Sequence, residues 1–298
     1  MEVDDVRKDI RHIDEKDLEG MDAICHLAGL SNDPMGDLSE ASTAAINHKA
    51  SVRLAQLAKK VGVKKFIFSS SCSLYGIAGN DAVTEEAPFA PMTAYARSKV
   101  YVEEETLPLA GKDYCVTFLR NATAYGVSPK LRVDLVVNNL LGSAFAEGKI
   151  KIMSDGTPWR PLIHAEDIAR AFVAVIEAPA DAVNGQAFNV GQNEENYRVR
   201  EIAERIGKVM PECEIVFTGE HGADTRSYRV SFDKIKKALP NFKPVWTLAK
   251  GIEQLADSYR KYDMDVEKFK GRYFIRLKQL KHLMENHEID NNMVWRTK

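Results

Sequence analysis

A doubly wound α/β fold with a parallel sheet is predicted by two observations. Short, continuously apolar runs alternate with amphipathic helical stretches, and the runs end in glycine or serine turns. Strands that stay apolar on both faces belong to a sheet covered on both sides. A third observation, a change of texture after Gly126, predicts a smaller lobe appended to that sheet. The 298 residues, 45% hydrophobic and 28% charged, suffice for one large domain and such a lobe.

The elements follow in order. Met21 to Gly29 reads as a short buried strand ending in a glycine turn. From Ala44 to Val61, Ile46, Ala50, Leu54, Leu57, Ala58 and Val61 recur at helical spacing, and Gly62 ends the helix. Lys65 to Ser70 is the next buried strand, Tyr95 to Glu105 a helix, and Cys115 to Arg120 a further strand. Asn121 to Tyr125 falls at that strand's end, where ligands of such sheets bind. Beyond Gly126, Asp134–Glu147 is helical, Lys149–Met153 a short strand and Asp155–Pro158 a turn. Ile163–Glu177 contains a helix, Ala187–Gly191 is a strand and turn, and Arg198–Val209 an amphipathic helix. Pro211 to Pro244 reads as short strands with a helix over Asp233–Leu239. The tail carries Tyr273, Phe274, Leu277, Leu280, Leu283 and Met284 near one stripe, as a helix packed on the domain or on a second subunit. These readings divide the chain into 1–160, the doubly wound domain, 161–264, a mixed region that includes the smaller lobe, and 265–298, a basic tail.

Composition removes several functions. A formal net charge of -2 gives no reason to expect nucleic acid or an anionic membrane surface. Cys25, Cys72, Cys115 and Cys213 form no close pair and no metal-ligand spacing, which reads as reduced and cytoplasmic, without a metal. The densely charged first twenty residues do not read as a signal peptide, and no apolar run is long enough to span a bilayer.

Two segments carry chemistry: Ser69-Ser70-Ser71-Cys72-Ser73-Leu74-Tyr75-Gly76 and Tyr95-Ala96-Arg97-Ser98-Lys99. A tyrosine and a lysine four residues apart share one helix face. The ammonium can then pull the phenol pKa down from about 10 toward neutral. A serine at a neighbouring strand end can hold a substrate oxygen while the phenolate takes its proton. The arrangement suits proton removal coupled to hydride transfer to a nicotinamide.

With Asp9-Ile10-Arg11, His26-Leu27-Ala28-Gly29, Asn47, Leu119-Arg120, Tyr125-Gly126, Arg160, Ile163-His164, Asp167 and Phe188-Asn189-Val190-Gly191, the ordered set resembles the extended short-chain dehydrogenase/reductase superfamily, in its nucleotide-sugar epimerase/dehydratase branch. The resemblance spans Val3 to Ile252 and implies a Rossmann-like fold, NAD (NADP is left open) and a nucleotide-diphosphate sugar. It implies that Tyr95 is the acid/base, that Ser71 holds the substrate, and that Lys99 bonds the nicotinamide ribose. Asp9 and Ile10 would hold adenine, Leu27, Ala28 and Gly29 would line the cofactor's phosphate and ribose, and Asn47 would lie beside the active site. Arg160 and Arg226 would grip the diphosphate, Thr123 would bind the substrate from the segment near the nicotinamide, and the helices at Ala44–Val61 and Tyr95–Glu105 would form a homodimer face.

Other residues carry plainer readings. Ser69 and Ser70 terminate a strand and bond backbone, Tyr75 is a packing aromatic, and Cys72 is an inert buried thiol. His26 and His164 are structural histidines, and Asp167 is a helix-start carboxylate. Dehydratases of this family place acids just after the catalytic Ser/Thr, where this chain has Cys72 and Ser73, which favours an epimerase over a dehydratase or reductase.

The family's opening strand and Gly-x-x-Gly-x-x-Gly loop have no counterpart in this sequence, which opens at what resembles the third strand, Val3 to Val6. Three readings follow: an incomplete version of a normal enzyme, a non-catalytic binding homologue, or a short form in which Val3–Val6 pairs directly with the Ala23–Leu27 strand. Losing two or three phosphate hydrogen bonds, each worth about 1.5–3 kcal/mol, would weaken cofactor binding roughly a thousandfold or more.

Overall fold

Four apolar runs form the central sheet of the computed structural model, which describes residues 4–31, 33–218 and 226–296. Strand β1 (Ala23–His26) is followed by the short helices α1 (Asp33–Gly36) and α2 (Glu40–Thr43), a π-helical segment (Ala44–Lys49) and α3 (Ala50–Lys60). Gly62, at φ +87°, closes that helix as the sequence predicts, since a side chain is strained there. Then come β2 (Lys65–Ser71), β3 (Ile77–Val83), α4 (Ala94–Thr106), β4 (Cys115–Asn121) and β5 (Thr123–Tyr125). Next are α5 (Val136–Glu147), β6 (Lys149–Ile152), β7 (Trp159–His164), α6 (Ala165–Glu177), α7 (Ala180–Val183) and β8 (Gln186–Val190). The chain continues with β9 (Asn196–Arg198), α8 (Val199–Val209), β10 (Glu214–Phe217), β11 (Ser227–Val230) and α9 (Asp233–Ala238). It closes with α10 (Leu248–Lys261), α11 (Val266–Lys270) and α12 (Arg276–Glu285).

The sheet runs β1-β2-β4-β8, parallel throughout, so the C-terminal ends of β2 and β4 lie side by side. One face packs Phe66, Phe68, Val116 and Phe118 against Leu54, Ala55, Ala58 and Val102. The other packs Ile67, Leu119, Phe188 and Val190 against Ala171, Phe172 and Val175. Helices on both faces are what continuous apolar strands demand. A second core joins Tyr125, Leu141, Ile150, Leu162, Ile206, Leu255 and Tyr259 into the smaller lobe. This lobe draws on segments from both sides of β8, and the boundary expected at residue 160 falls inside β7.

Two expectations are corrected. Asp4 to Val6 form no strand, and Val6 is exposed; the backbone there pairs with nothing in the sheet, and Val3 lies outside the described residues. Consequently β1 is an edge strand among the described residues, and the run expected to be buried exposes Cys25 and Leu27. Within α12 the stripe residues Leu277, Leu280, Leu283 and Met284 are half-buried, and the tail is anchored by Phe269 of α11, whose ring lies against Gly142 of α5, where a β-carbon would come within 2.6 Å of it. A glycine costs an inner helix position about 1 kcal/mol, and here it makes room for an aromatic ring. The tail ends near the start of the chain, where Arg11 donates to the carbonyls of Asn292 and Met293.

Candidate active site

The site lies where β2 and β4 end and α4 begins. Thr93 caps α4: its Oγ1 accepts from Ala96 N at 3.1 Å and donates to Asp33 Oδ1 at 2.5 Å. Tyr95 and Lys99 follow one turn apart. Ser71 ends β2, caps the 3-10 turn Cys72–Tyr75 by accepting from Ser73 N, and lies near enough to the Tyr95 hydroxyl to favour its ionised form. Gly76 ends that turn at φ +66°; a β-carbon there would strike the Ala90 carbonyl at 2.1 Å. Ser71, Tyr95 and Lys99 are thus brought together.

Burial pushes the Tyr95 phenol up, helped by the charge of Asp33; Ser71, Arg132 and Arg226 pull it down. The Lys99 Nζ donates to the Ser69 carbonyl at 2.7 Å and lies 5.5 Å from the Tyr95 ring centroid and 4.5 Å from that of Phe68. Burial pushes the Lys99 ammonium down to about 8, against the pull of Glu103.

Beneath the site runs a buried polar network. Ser70 Oγ donates to Glu103 Oε1 at 2.5 Å, and Arg120 pairs with Glu103 at 2.6 Å. Arg120 Nη1 donates to Tyr75 Oη at 2.9 Å, and Tyr75 donates to Asn189 Oδ1 at 2.7 Å. Asn189 N donates in turn to Glu85 Oε1. Two plainer readings change accordingly. Tyr75 is a member of this network as well as a packing ring, and Ser70 bonds a side chain; Ser69 Oγ likewise accepts from Asn121 Nδ2 at 3.1 Å. Strand ends that meet in parallel place these side chains opposite one another, which a run of serines alone does not reveal.

The remaining expected residues separate into groups. Asn47, on the π-helical segment, spends its amide on Leu30, accepting from N at 2.7 Å and donating to O at 2.9 Å, so it fixes the loop after β1. Leu27, Ala28 and Gly29 are exposed along that loop. The Asp9 carboxylate is taken up by Arg11 at 2.6 Å and held below the usual carboxylate range by it, while Ile10 packs against the core. Thr123 is half-buried at the start of β5. Arg160 Nη1 donates to the carbonyls of Trp159 and Arg226, and Arg226 pairs with Asp33 at 3.0 Å. Asp33 and Arg132, both near Tyr95, were not singled out from the sequence; the Arg132-Val133-Asp134 spacing was the available signal, since Asp134 holds Arg132 through two hydrogen bonds.

The histidines are structural. His26 Nε2 donates to Ser51 Oγ at 2.7 Å, Ser51 donating onward to Asn47 O, and burial pushes the imidazole down to about 3. His164 caps α6 through Nδ1, bonds Gln254 through Nε2 and stacks on Trp246. Asp167, at the start of α6, accepts from Val245 N and Trp246 N. The Cys72 thiol is pushed up by burial and donates to Arg120 O, as an inert thiol does.

Residues 6–191 match the model of the NAD dependent epimerase/dehydratase family. The chain belongs to this family. Among curated relatives, UDP-glucose 4-epimerase from Bacillus subtilis is 28% identical over 237 residues, covering 73% of this chain and 68% of that protein. The enzyme of the same name from Mycolicibacterium smegmatis is 30% identical over 222 residues, 73% and 69% of the two chains. In fold, the chain is similar to TunA, an NAD-dependent NDP-hexosamine 5,6-dehydratase, with TM-score 0.76 and 21% identity over 86% of this chain and 83% of that one. It is also similar to UDP-glucuronic acid 4-epimerase from Bacillus cereus, with TM-score 0.75 and 23% identity over 86% and 81%. Family membership implies a nicotinamide cofactor, and the residues at the reacting end fit one. Asn121 Oδ1, at the end of β4, is buried with no hydrogen-bond partner, and the buried Lys99 ammonium has no carboxylate bonded to it among the described residues.

Proposed function

We propose that this chain is an NAD-dependent nucleotide-sugar epimerase acting by transient oxidation of a sugar hydroxyl. The observation that carries the reading is the placement of Ser71, at the end of β2, beside Tyr95 on α4, with Lys99 one helical turn onward. NAD, when bound, supplies the acceptor and donor of hydride. Lys99, Asn121 and the exposed loop Leu27–Gly29 would hold its nicotinamide and ribose, and Asp9 with Ile10 its adenine. Ser71 positions the substrate hydroxyl and Tyr95 exchanges its proton. Arg132 and Arg226 are the cations that favour the Tyr95 phenolate, and Arg226, with Arg160 holding its backbone, would grip the diphosphate. Thr123 lines the sugar.

Dehydration requires acids after Ser71. Cys72 is held as a buried thiol and Ser73 is a hydroxyl, so neither supplies or removes a proton at neutral pH. The names of the relatives put UDP-sugars first among substrates. NMR of the chain incubated with NAD and UDP-, GDP-, CDP- or dTDP-sugars is expected to show an epimer. A 4-keto-6-deoxy product would overturn the argument from Cys72. No product, together with no calorimetric binding at millimolar NAD, would leave only a nucleotide-sugar binding protein.

A further inference from the structure

The C-terminal tail brings a cation to the substrate side of the site. Arg276, the first residue of α12, is half-buried, and its Nη1 donates to Ser31 Oγ at 3.1 Å. Arg132 reaches the same oxygen, with Nη1 at 3.3 Å, and the Ser31 carbonyl at 3.0 Å. Two guanidinium groups therefore share one neutral hydroxyl. Arg132 has Asp134 at 2.7 Å; Arg276 forms no ion pair among the described residues. The Arg276 guanidinium is pushed down from its ordinary value by burial and by Arg132, against the pull of Asp134. Like charges brought together in a half-buried place are unfavourable until an anion joins them.

The position is held rather than incidental. Phe269 anchors the chain on α5 before α12. After α12, an Ile289–Trp295 bridge is fixed by Arg11 Nη1 donating to Asn292 O at 2.7 Å and by Ser42 Oγ donating to Asn291 O at 3.3 Å. Ser31 stands two residues before Asp33, whose Oδ1 accepts from Thr93, the N-cap of the helix that carries Tyr95, so the pair stands beside the reacting centre.

We propose that Arg276 and Arg132 together bind an oxyanion of the substrate, phosphate or carboxylate, beside Ser31, so that the tail completes the substrate site. This rests on the reading that the Tyr95 site takes a nucleotide sugar. Two planar forks supply paired donors to such a group, and the Ser31 hydroxyl, accepting from both, has its own proton to give. Arg160 and Arg226 are engaged differently, Arg160 Nη1 serving two carbonyls and Arg226 pairing with Asp33, so the tail pair adds donors to theirs.

The test is calorimetric titration of the full chain with pyrophosphate, UDP-glucose and UDP-glucuronate, for wild type, Arg276→Met, Arg276→Lys and Lys281→Met. Lys281 is exposed on the same helix and controls for the lost charge. Arg276→Met is expected to weaken pyrophosphate roughly tenfold to a hundredfold, Arg276→Lys less, and Lys281→Met negligibly. A larger loss for UDP-glucuronate than for UDP-glucose assigns the pair to a sugar carboxylate; equal losses assign it to the diphosphate. Equal affinities for Arg276→Met and Lys281→Met overturn the proposal, as does a wild type that binds none of the three. If Arg276→Met melts early, Arg276→Lys against Lys281→Met decides by the same criterion. Failure of the functional reading shows elsewhere, as Tyr95→Phe with undiminished turnover.

Discussion

The floor beneath Ser71 and the edge at β1 are made from the same kind of apolar strand, yet their surroundings differ. Under Ser71, β2 and β4 lie between neighbours, and the polar side chains of Ser70, Glu103, Arg120, Tyr75 and Asn189 are joined into one buried network. At β1, one edge pairs with β2 and the other carries no strand among the described residues, so Cys25 and Leu27 face solvent. The reacting end is therefore complete in its own packing. The edge nearest the expected cofactor phosphates draws little from packing and holds its loop through polar side chains, Asn47 at Leu30 and Arg132 and Arg276 at Ser31.

The largest expected effect lies at the complete end. Tyr95→Phe removes the proton acceptor while keeping the ring, and turnover of a nucleotide sugar is expected to fall about 10²–10⁴-fold, read by NMR of product formation. Next comes Glu103→Gln. It leaves the Arg120 guanidinium, which is 6% exposed, without its charge partner. Breaking such a pair costs about 3–5 kcal/mol, and urea denaturation should show it in the midpoint. A change below 1 kcal/mol would mean that the floor is not the rigid element described above.

Lys99 gives a sharper test, because its effect has a sign in pH. Folded, it releases its proton near 8; unfolded, near the ordinary 10.5. Below pH 8 both states are protonated and the burial cost is constant. Between about 8 and 10.5 the unfolded chain keeps a proton the folded chain has lost, so stability rises with pH. Relative to Lys99→Met, the wild type should gain roughly 3 kcal/mol across that window in denaturation midpoints. A flat difference would place a carboxylate or solvent beside Nζ.

How much of this was legible in the sequence follows from how far apart the partners are along the chain. Tyr95 and Lys99 declare themselves through helical spacing, and β2 and β4 through apolar runs. The Ser31–Arg132 and Ser31–Arg276 contacts join residues 101 and 245 positions apart, which no local pattern encodes. Strand β7 was hidden because Arg160 and Pro161 interrupt its apolar run; its antiparallel partner is only the short β9, so Pro161 is tolerated there. Val3–Val6 reads as a strand by position in the family pattern, but Asp4 and Asp5 favour solvent and Val6 is exposed. The lysine's orientation was not legible either, since the Ser69 carbonyl that captures Nζ becomes a neighbour only when β2 packs under α4.

The smallest expected effect tests the open edge itself. Leu27 is 60% exposed, so Leu27→Ala removes little buried area and should change stability by no more than about 0.5 kcal/mol. Phe68, in β2 one strand away, is buried, and Phe68→Ala should cost about 3–5 kcal/mol. The contrast between these two substitutions, in one sheet and on the same denaturation curve, measures how unequal the two regions are. Should Leu27→Ala instead cost more than 1 kcal/mol, the side chain is covered in solution. Repeating the melt over a hundredfold range of protein concentration then identifies the cover, since a second copy on β1 makes the midpoint rise with concentration and an intramolecular cover leaves it fixed.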